Sequence, residues 1–321
     1  MPPRQAENVC FGAFPWGWRR GSRQRHLGPM TPRTSPPSPA SSGAPQPLPG
    51  PLWVVLGGGG VRGVAHVGAW EAVREAGLEV AGIIGTSIGA LIGAAVAGGM
   101  EWRQLVRLGL SLKKEDIVRL NRGVIWVNGI REESVFHGEA LRAYAERVLP
   151  HGTWDDLKLP LQVNAVDLAS GTTEWFGTGA RTDASVQEAC YASAALPVLF
   201  PPARIGERIY VDGGTVDALP IERARELGAG TILAIDVGAG PEADAEKTVS
   251  DGLIAIHERV FAIMSGGRRR EQVARWEGPR LIYVRPSVDA YSAFAFDQVK
   301  FFLEEGYRAT RTALEGVLGP R

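Results

Sequence analysis

Cysteine is nearly missing from this 321-residue chain: Cys10 and Cys190 are the whole complement. Their local contexts share no metal-ligand spacing, so neither a disulfide framework nor a zinc site is expected. A reducing compartment follows, and the cytoplasm is the expected location. Net charge is missing as well, with 35 Lys plus Arg against 35 Asp plus Glu. The positive field that carries nucleic acids to a protein is thereby lost, and no nucleic-acid partner is expected. A secretory leader is not expected either. The first 50 residues hold no apolar core of about 7 to 15 residues, and Phe11 to Trp18 is interrupted by Gly12, Pro15 and Gly17. No internal repeat and no cluster of metal-binding residues is visible, so neither a metal nor any other cofactor is expected.

Glycine and proline are plentiful, and they lie in different places. Residues 1–50 carry 11 of the 22 prolines, six arginines and one acid, Glu7, and end in SPPSPASSGAPQPLPG. That composition predicts a disordered basic tail, with Met30 as a candidate start, and a folded domain over 51–321. The 41 glycines are well above the usual level of about 7% and ask for tight turns or backbone-lined sites.

The folded part opens with the apolar run Leu52 to Leu56, then four glycines, then VAHVGAWEAVREAG, whose apolar residues recur at helical spacing until Gly77. A second unit follows: Val80 to Ile84, the turn GTSIG, and the uncharged helix-former stretch Ala90 to Gly99. Val80 to Met100 is free of charge for 21 residues, long enough on paper for a membrane span. Its six glycines dilute that signal, and a strand followed by a turn explains Thr86 and Ser87 where a span does not. Leu161–Asp167 and Thr172–Phe176 predict a hairpin, Ser185 caps a helix that stops before Pro197, and Arg208 to Val211 predicts a strand ending at Asp212-Gly213-Gly214. A helix over Pro220 to Leu227, apolar runs at Thr231 to Val237 and Leu281 to Arg285, and a helix over Asp297 to Val317 complete the pattern. Alternating strands and helices predict an α/β fold with a mainly parallel sheet between helical layers.

Two segments carry chemistry. GGGGVRG, Gly57 to Gly63, stands between strand and helix, where Cβ-free backbone can aim several N–H groups at one anion. Gly58, Gly60 and Gly63 also spell G-x-G-x-x-G, which keeps a nucleotide-binding reading open, although no acid follows the next strand as that fingerprint requires. GTSIG, Gly85 to Gly89, fits the nucleophile elbow and places the Ser87 hydroxyl at a helix N-terminus. A base for Ser87 is harder to find among the five histidines. His26 lies in the tail, and His137 and His151 flank a charged helix. His66 reads as a packing or hydrogen-bonding residue, and His257 sits in the helical text IAIHERV with no strand end beside it. Asp212 stands at a strand's carboxyl end, the edge where open α/β sheets place their sites, though a plain turn also explains its two glycines.

In this order and at these separations, GGGGVRG, GTSIG, ASAALPVLFPP at 192–202 and DGG at 212–214 resemble the patatin-like phospholipases. ARELGA at 224–229 and AIDV at 234–237 extend the resemblance, which covers about residues 52–317. It implies a three-layer α/β/α fold and a compact serine lipid acyl hydrolase, with Ser87 as nucleophile and Asp212 completing a Ser-Asp dyad without histidine. Backbone N–H groups of Gly58, Gly59 and Gly60 would form the oxyanion hole, and Arg62 would fix that loop or attract a phosphate head group. Asp217, where relatives often carry Asn, would bring a second carboxylate near Asp212. Burial would raise the Asp212 pKa, and Arg62 would oppose that rise. The substrates implied are phospholipids or lysophospholipids, with simple carboxylic esters and neutral lipids as the wider class, and peripheral contact with a bilayer goes with them.

Overall fold

The computed structural model describes residues 48–121 and 132–319. The tail predicted over 1–50, with Cys10, His26 and Met30, lies outside the described residues up to position 47. In chain order the elements are β1 (Leu52–Leu56), α1 (Ala65–Glu75), β2 (Val80–Gly85), α2 (Ile88–Ala97), α3 (Trp102–Ser111), α4 (Lys114–Ile117) and α5 (Gly138–Val148). There follow β3 (Leu161–Asp167), β4 (Thr173–Gly177), α6 (Val186–Ala194), β5 (Ala203–Ile205), β6 (Arg208–Asp212), α7 (Ile221–Glu226) and β7 (Thr231–Ile235). The last are α8 (Ala245–Ser250), α9 (Leu253–Ala274), β8 (Arg280–Val284) and α10 (Val299–Leu318).

All five β1 residues are buried, as expected of a central strand covered on both faces. Leu52, Val54 and Leu56 belong to the larger apolar core, while Trp53 and Val55 pack on the other side with Leu219, Ile221 and Ala224. Helical layers on both faces of one sheet are the three-layer α/β/α arrangement predicted. β1 pairs in parallel with β2 on one side and β7 on the other, and β8 extends β7 in parallel. The strand order therefore reverses between β1 and β7, which puts the crevice of the sheet beyond the carboxyl ends of these two strands, with the end of β2 beside it.

β3 organises the other half. It runs parallel to β2, with Gly85 opposite Val163, and antiparallel to β4, with Phe176 opposite that same Val163. β6 is antiparallel to β3, with Asp212 opposite Ala165, and Glu174 of β4 lies on the other side of Ala165. Since a strand has two edges and β4 occupies one, β2 and β6 share the remaining edge and meet tip to tip. Asn164 is the single β3 residue between their registers. Asp212 thus stands at the carboxyl end of an antiparallel strand, not a parallel one, and reaches the crevice because β6 runs back toward the end of β2.

The uncharged stretch from Val80 to Met100 divides at Thr86-Ser87 into β2 and the ten-residue α2. No described helix is long and apolar enough to cross a membrane. The C-terminal α10 crosses α1 closely: a Cβ on Gly306 would lie 1.9 Å from the Ala65 carbonyl oxygen, so only glycine fits that crossing.

Candidate active site

Ser87 sits where β2 turns sharply into α2, with φ 56° and ψ −122°. Only Ser87 and Val198 have positive φ among the described non-glycine residues. This conformation is costly for an L residue by about 1–3 kcal/mol and persists only when neighbours hold it. The holding contact is long-range: the Ser87 backbone N–H donates to the Ser193 hydroxyl of α6 at 2.8 Å. Gly85 and Gly89 are needed for the turn, since a Cβ on either would lie within 2.5 Å of backbone oxygen.

Asp212 is buried, 3% exposed, and the Ser87 hydroxyl is near enough to favour its ionised form. Its Oδ1 accepts from the Gly214 amide at 2.7 Å. Loss of water raises its pKa from 3.8 to about 7, and the nearby Ser87 hydroxyl and the Gly214 amide, which favour the carboxylate, offset only part of that rise. Arg62 is not among the groups acting on Asp212. The carboxyl thus changes charge near neutral pH, with the Ser87 hydroxyl beside it.

The glycine loop begins at the end of β1. The Gly57 and Gly58 amides donate to the carbonyls of Ile235 (3.1 Å) and Ala218 (3.0 Å). Gly58 is therefore already engaged, in contrast to the three free amides expected. Those of Gly59 and Gly60 have no acceptor among the described residues, and neither has the amide of Ile88 at the first position of α2. Arg62, 6% exposed, donates from Nε to Gly59 O at 2.9 Å and from Nη1 to Tyr291 O at 3.2 Å. Its guanidinium laces the loop to the Tyr291 segment. Burial lowers its pKa to about 10, opposed by Glu258, so it stays charged at neutral pH.

Neither candidate histidine reaches Ser87. His66 is fully buried, bonds Gly57 O through Nε2 at 2.8 Å and is held neutral by burial, its pKa lowered to about 4. His257 lies against Phe261, with ring centroids 6.5 Å apart. The carboxylate of Asp217 caps the Leu219 amide at 3.1 Å, and burial raises its pKa to about 6. Arg268 and Glu222 act on it and Asp212 does not, so the second carboxylate expected beside the dyad is turned elsewhere.

A cavity of about 630 Å³ opens above these groups, with Gly58, Gly59, Gly60, Ser87 and Asp212 in its lining. One part of its wall is apolar, with Ile92, Leu105, Leu141, Val148 and Phe200. Another part is charged, with Glu242, Lys247, Glu258, Arg259 and Arg269.

The sequence model for the patatin-like phospholipases matches residues 54–225, just over half of the chain. The chain belongs to the patatin-like phospholipase family. An "uncharacterized NTE family protein" of Mycobacterium bovis is 34% identical over 201 residues, which is 61% of this chain and 52% of that protein. Patatin-like phospholipase domain-containing protein 6 of Mus musculus is 28% identical over 296 residues, covering 82% of this chain and 20% of the mouse protein. The chain thus spans about half the length of the first relative and a fifth of the second. Among solved structures, VipD from Legionella pneumophila is 16% identical, covers 85% of this chain and 68% of its own, and gives a TM-score of 0.46.

For a patatin-like chain, three features of this site were not assigned from sequence. Ser193 lies inside ASAALPVLFPP, a motif with no individual role attached to its residues. The Ile88 amide follows from the elbow itself, because the residue after the nucleophile presents its N–H at the helix start. Glu258 of α9 has no local signal at all. It accepts from the Ser292 hydroxyl (2.9 Å) and the Ala293 amide (3.0 Å), and the Ala293 carbonyl in turn accepts from Val61 N at 2.8 Å. A chain of hydrogen bonds so links α9 to the glycine loop.

Proposed function

We propose that this protein is a lipid acyl hydrolase that cleaves carboxylic ester bonds of phospholipids or lysophospholipids through Ser87 and Asp212. The observation that carries the reading is the Ser87 hydroxyl, at a strained elbow, beside a buried carboxyl whose pKa is raised to about 7, both in the lining of a cavity with apolar and charged residues. Ser87 Oγ attacks the ester carbonyl carbon while its proton passes to Asp212. The carbonyl oxygen becomes an oxyanion facing the free amides of Gly59, Gly60 and Ile88. The intermediate collapses, and the alcohol leaves with the proton that Asp212 returns. Water then attacks the acyl-enzyme with Asp212 again as base, releasing the fatty acid and restoring Ser87. The apolar wall would take an acyl chain and the charged wall a polar head group, which favours an amphiphilic ester over a simple one.

The test is hydrolysis of p-nitrophenyl butyrate and of lysophosphatidylcholine by wild type, Ser87→Ala and Asp212→Asn, with the initial burst followed. Turnover of both substrates by wild type, lost by about 10³-fold or more in each variant, is expected. Full activity in either variant would refute the dyad.

A further inference from the structure

The helix α9 has two faces of opposite use. Glu258, Ala262 and Arg269 line the cavity, and on a helix of 3.6 residues per turn they share one side. The opposite side carries Leu253, Ile256, Val260, Ile263 and Met264, with exposures of 69%, 38%, 50%, 54% and 66%. At about 100° per residue these five fall within an arc of about 100°, one continuous apolar stripe. Val249 of the adjoining α8, 64% exposed, lies just before its start. Five of the ten large apolar residues exposed among the described positions belong to this one helix face, and a contiguous apolar surface of that kind marks an interaction site. Toward the end of the helix the stripe is bordered by Arg268 on one side and Arg270 on the other. Both are exposed, and neither forms a salt bridge among the described residues.

We infer that the outer face of α9 docks on an anionic lipid bilayer, so that the helix lies in the interface with its other face over the cavity. The inference rests on the lipid-hydrolase reading above for its purpose, and on the exposed stripe and its flanking arginines for its chemistry. An apolar stripe edged by cations is the pattern of an interfacial helix: the aliphatic side chains enter the acyl region, and the guanidinium groups stay with the phosphates. A bilayer is favoured over a second copy of this chain because one helix separates the stripe from the cavity. Docking on lipid therefore brings the cavity close to its substrate, and the flanking arginines match anionic phosphates, a charge that a second copy of this stripe would repel.

The test is co-sedimentation of the full chain with vesicles of equimolar phosphatidylcholine and phosphatidylglycerol. Wild type is compared with Val260→Glu/Ile263→Glu, with the single variant Met264→Glu and with Arg268→Glu/Arg270→Glu, and melting temperatures serve as the control for folding. The double apolar variant is expected to lower vesicle partitioning about tenfold or more, Met264→Glu by less, and the arginine variant to lower it on anionic vesicles and little on pure phosphatidylcholine. Hydrolysis of p-nitrophenyl butyrate in vesicle-free buffer is expected to stay at the wild-type rate in all three. Failure of wild type to partition overturns the inference, as does equal partitioning by folded Val260→Glu/Ile263→Glu or Met264→Glu, which would assign binding to another part of the chain. A wild-type dimer that the apolar variants dissociate, without vesicle binding, overturns it in favour of a second copy. Vesicle binding that the variants lose in a protein with no esterase activity would sustain the docking face while refuting the Ser-Asp reading.

Discussion

Replacing Asp212 by Asn removes a fully buried ionisable group from the candidate site, and the consequence for stability has a definite sign. The carboxyl has a pKa of about 7 in the folded protein against 3.8 for the free group. Between these values the folded state holds a proton that the unfolded state has released, so wild-type stability falls as pH rises. The fall is about 1.36 kcal/mol per pH unit and levels off above pH 7. Asparagine keeps an oxygen for the Gly214 amide and does not titrate. The stability advantage of Asp212→Asn over wild type should therefore grow by about 2 kcal/mol from pH 5 to pH 7 and by only a few tenths more to pH 9. Any change in the contact with Ser87 adds a constant that does not vary with pH. Urea unfolding of both proteins at pH 5, 7 and 9 measures the difference. The same ionisation should make wild-type kcat/KM for a soluble ester rise about tenfold from pH 6 to a plateau near pH 8, with a midpoint near 7. A stability difference that is constant across this range would refute the raised pKa, and with it the argument that Asp212 is poised as a base.

Two further substitutions probe the rest of the site. Ser193→Ala takes the acceptor from the Ser87 amide, leaving a buried N–H unpaired at a strained residue. A loss of about 1–3 kcal/mol in urea unfolding is expected, together with lower kcat and little change in KM, whereas unchanged kcat would show that the elbow holds its shape unaided. Gly59→Ala puts a Cβ 2.5 Å from the Val237 carbonyl oxygen and displaces a free amide. Ester turnover should fall about 10²-fold or more in a protein that still melts cooperatively, and kcat within threefold of wild type would remove Gly59 from oxyanion stabilisation.

Much of the architecture is written in local sequence. The run Leu52 to Leu56, the four glycines and the periodic residues to Gly77 signal a strand, turn and helix, and these are the central strand, its loop and α1. Ser185 with Glu188 forms a capping box that marks the start of α6 within a residue. Ser87 and Asp212 stand out because an elbow and an Asp-Gly-Gly turn each need specific small neighbours. What local sequence does not carry is which partner each group meets. The strand RIYV gives no sign that it pairs antiparallel to β3, because strand direction is set by the pairing and not by side-chain alternation. Gly58 looks like its neighbours until the Ala218 carbonyl, 160 positions away, takes its amide. Arg62 could as well have faced a ligand, and only the approach of Tyr291 decides that its guanidinium is used to hold the loop. Glu258 belongs to a helix whose sequence reads as ordinary amphipathic text.

The tip-to-tip meeting of β2 and β6 makes β3 a gauge for the proposed dyad. Ser87 is two residues past Gly85, which is fixed opposite Val163, and Asp212 is fixed opposite Ala165. The spacing between Ser87 and Asp212 is therefore measured along one short piece of backbone, Val163 to Ala165, and not along the more than one hundred residues of chain between them. Slippage of either pairing by one residue would shift its partner by about 3.3 Å and turn its side chain to the other face of the sheet. Connections far from this mark can change in length without altering the contact, while a single deletion inside Val163 to Ala165 would abolish it.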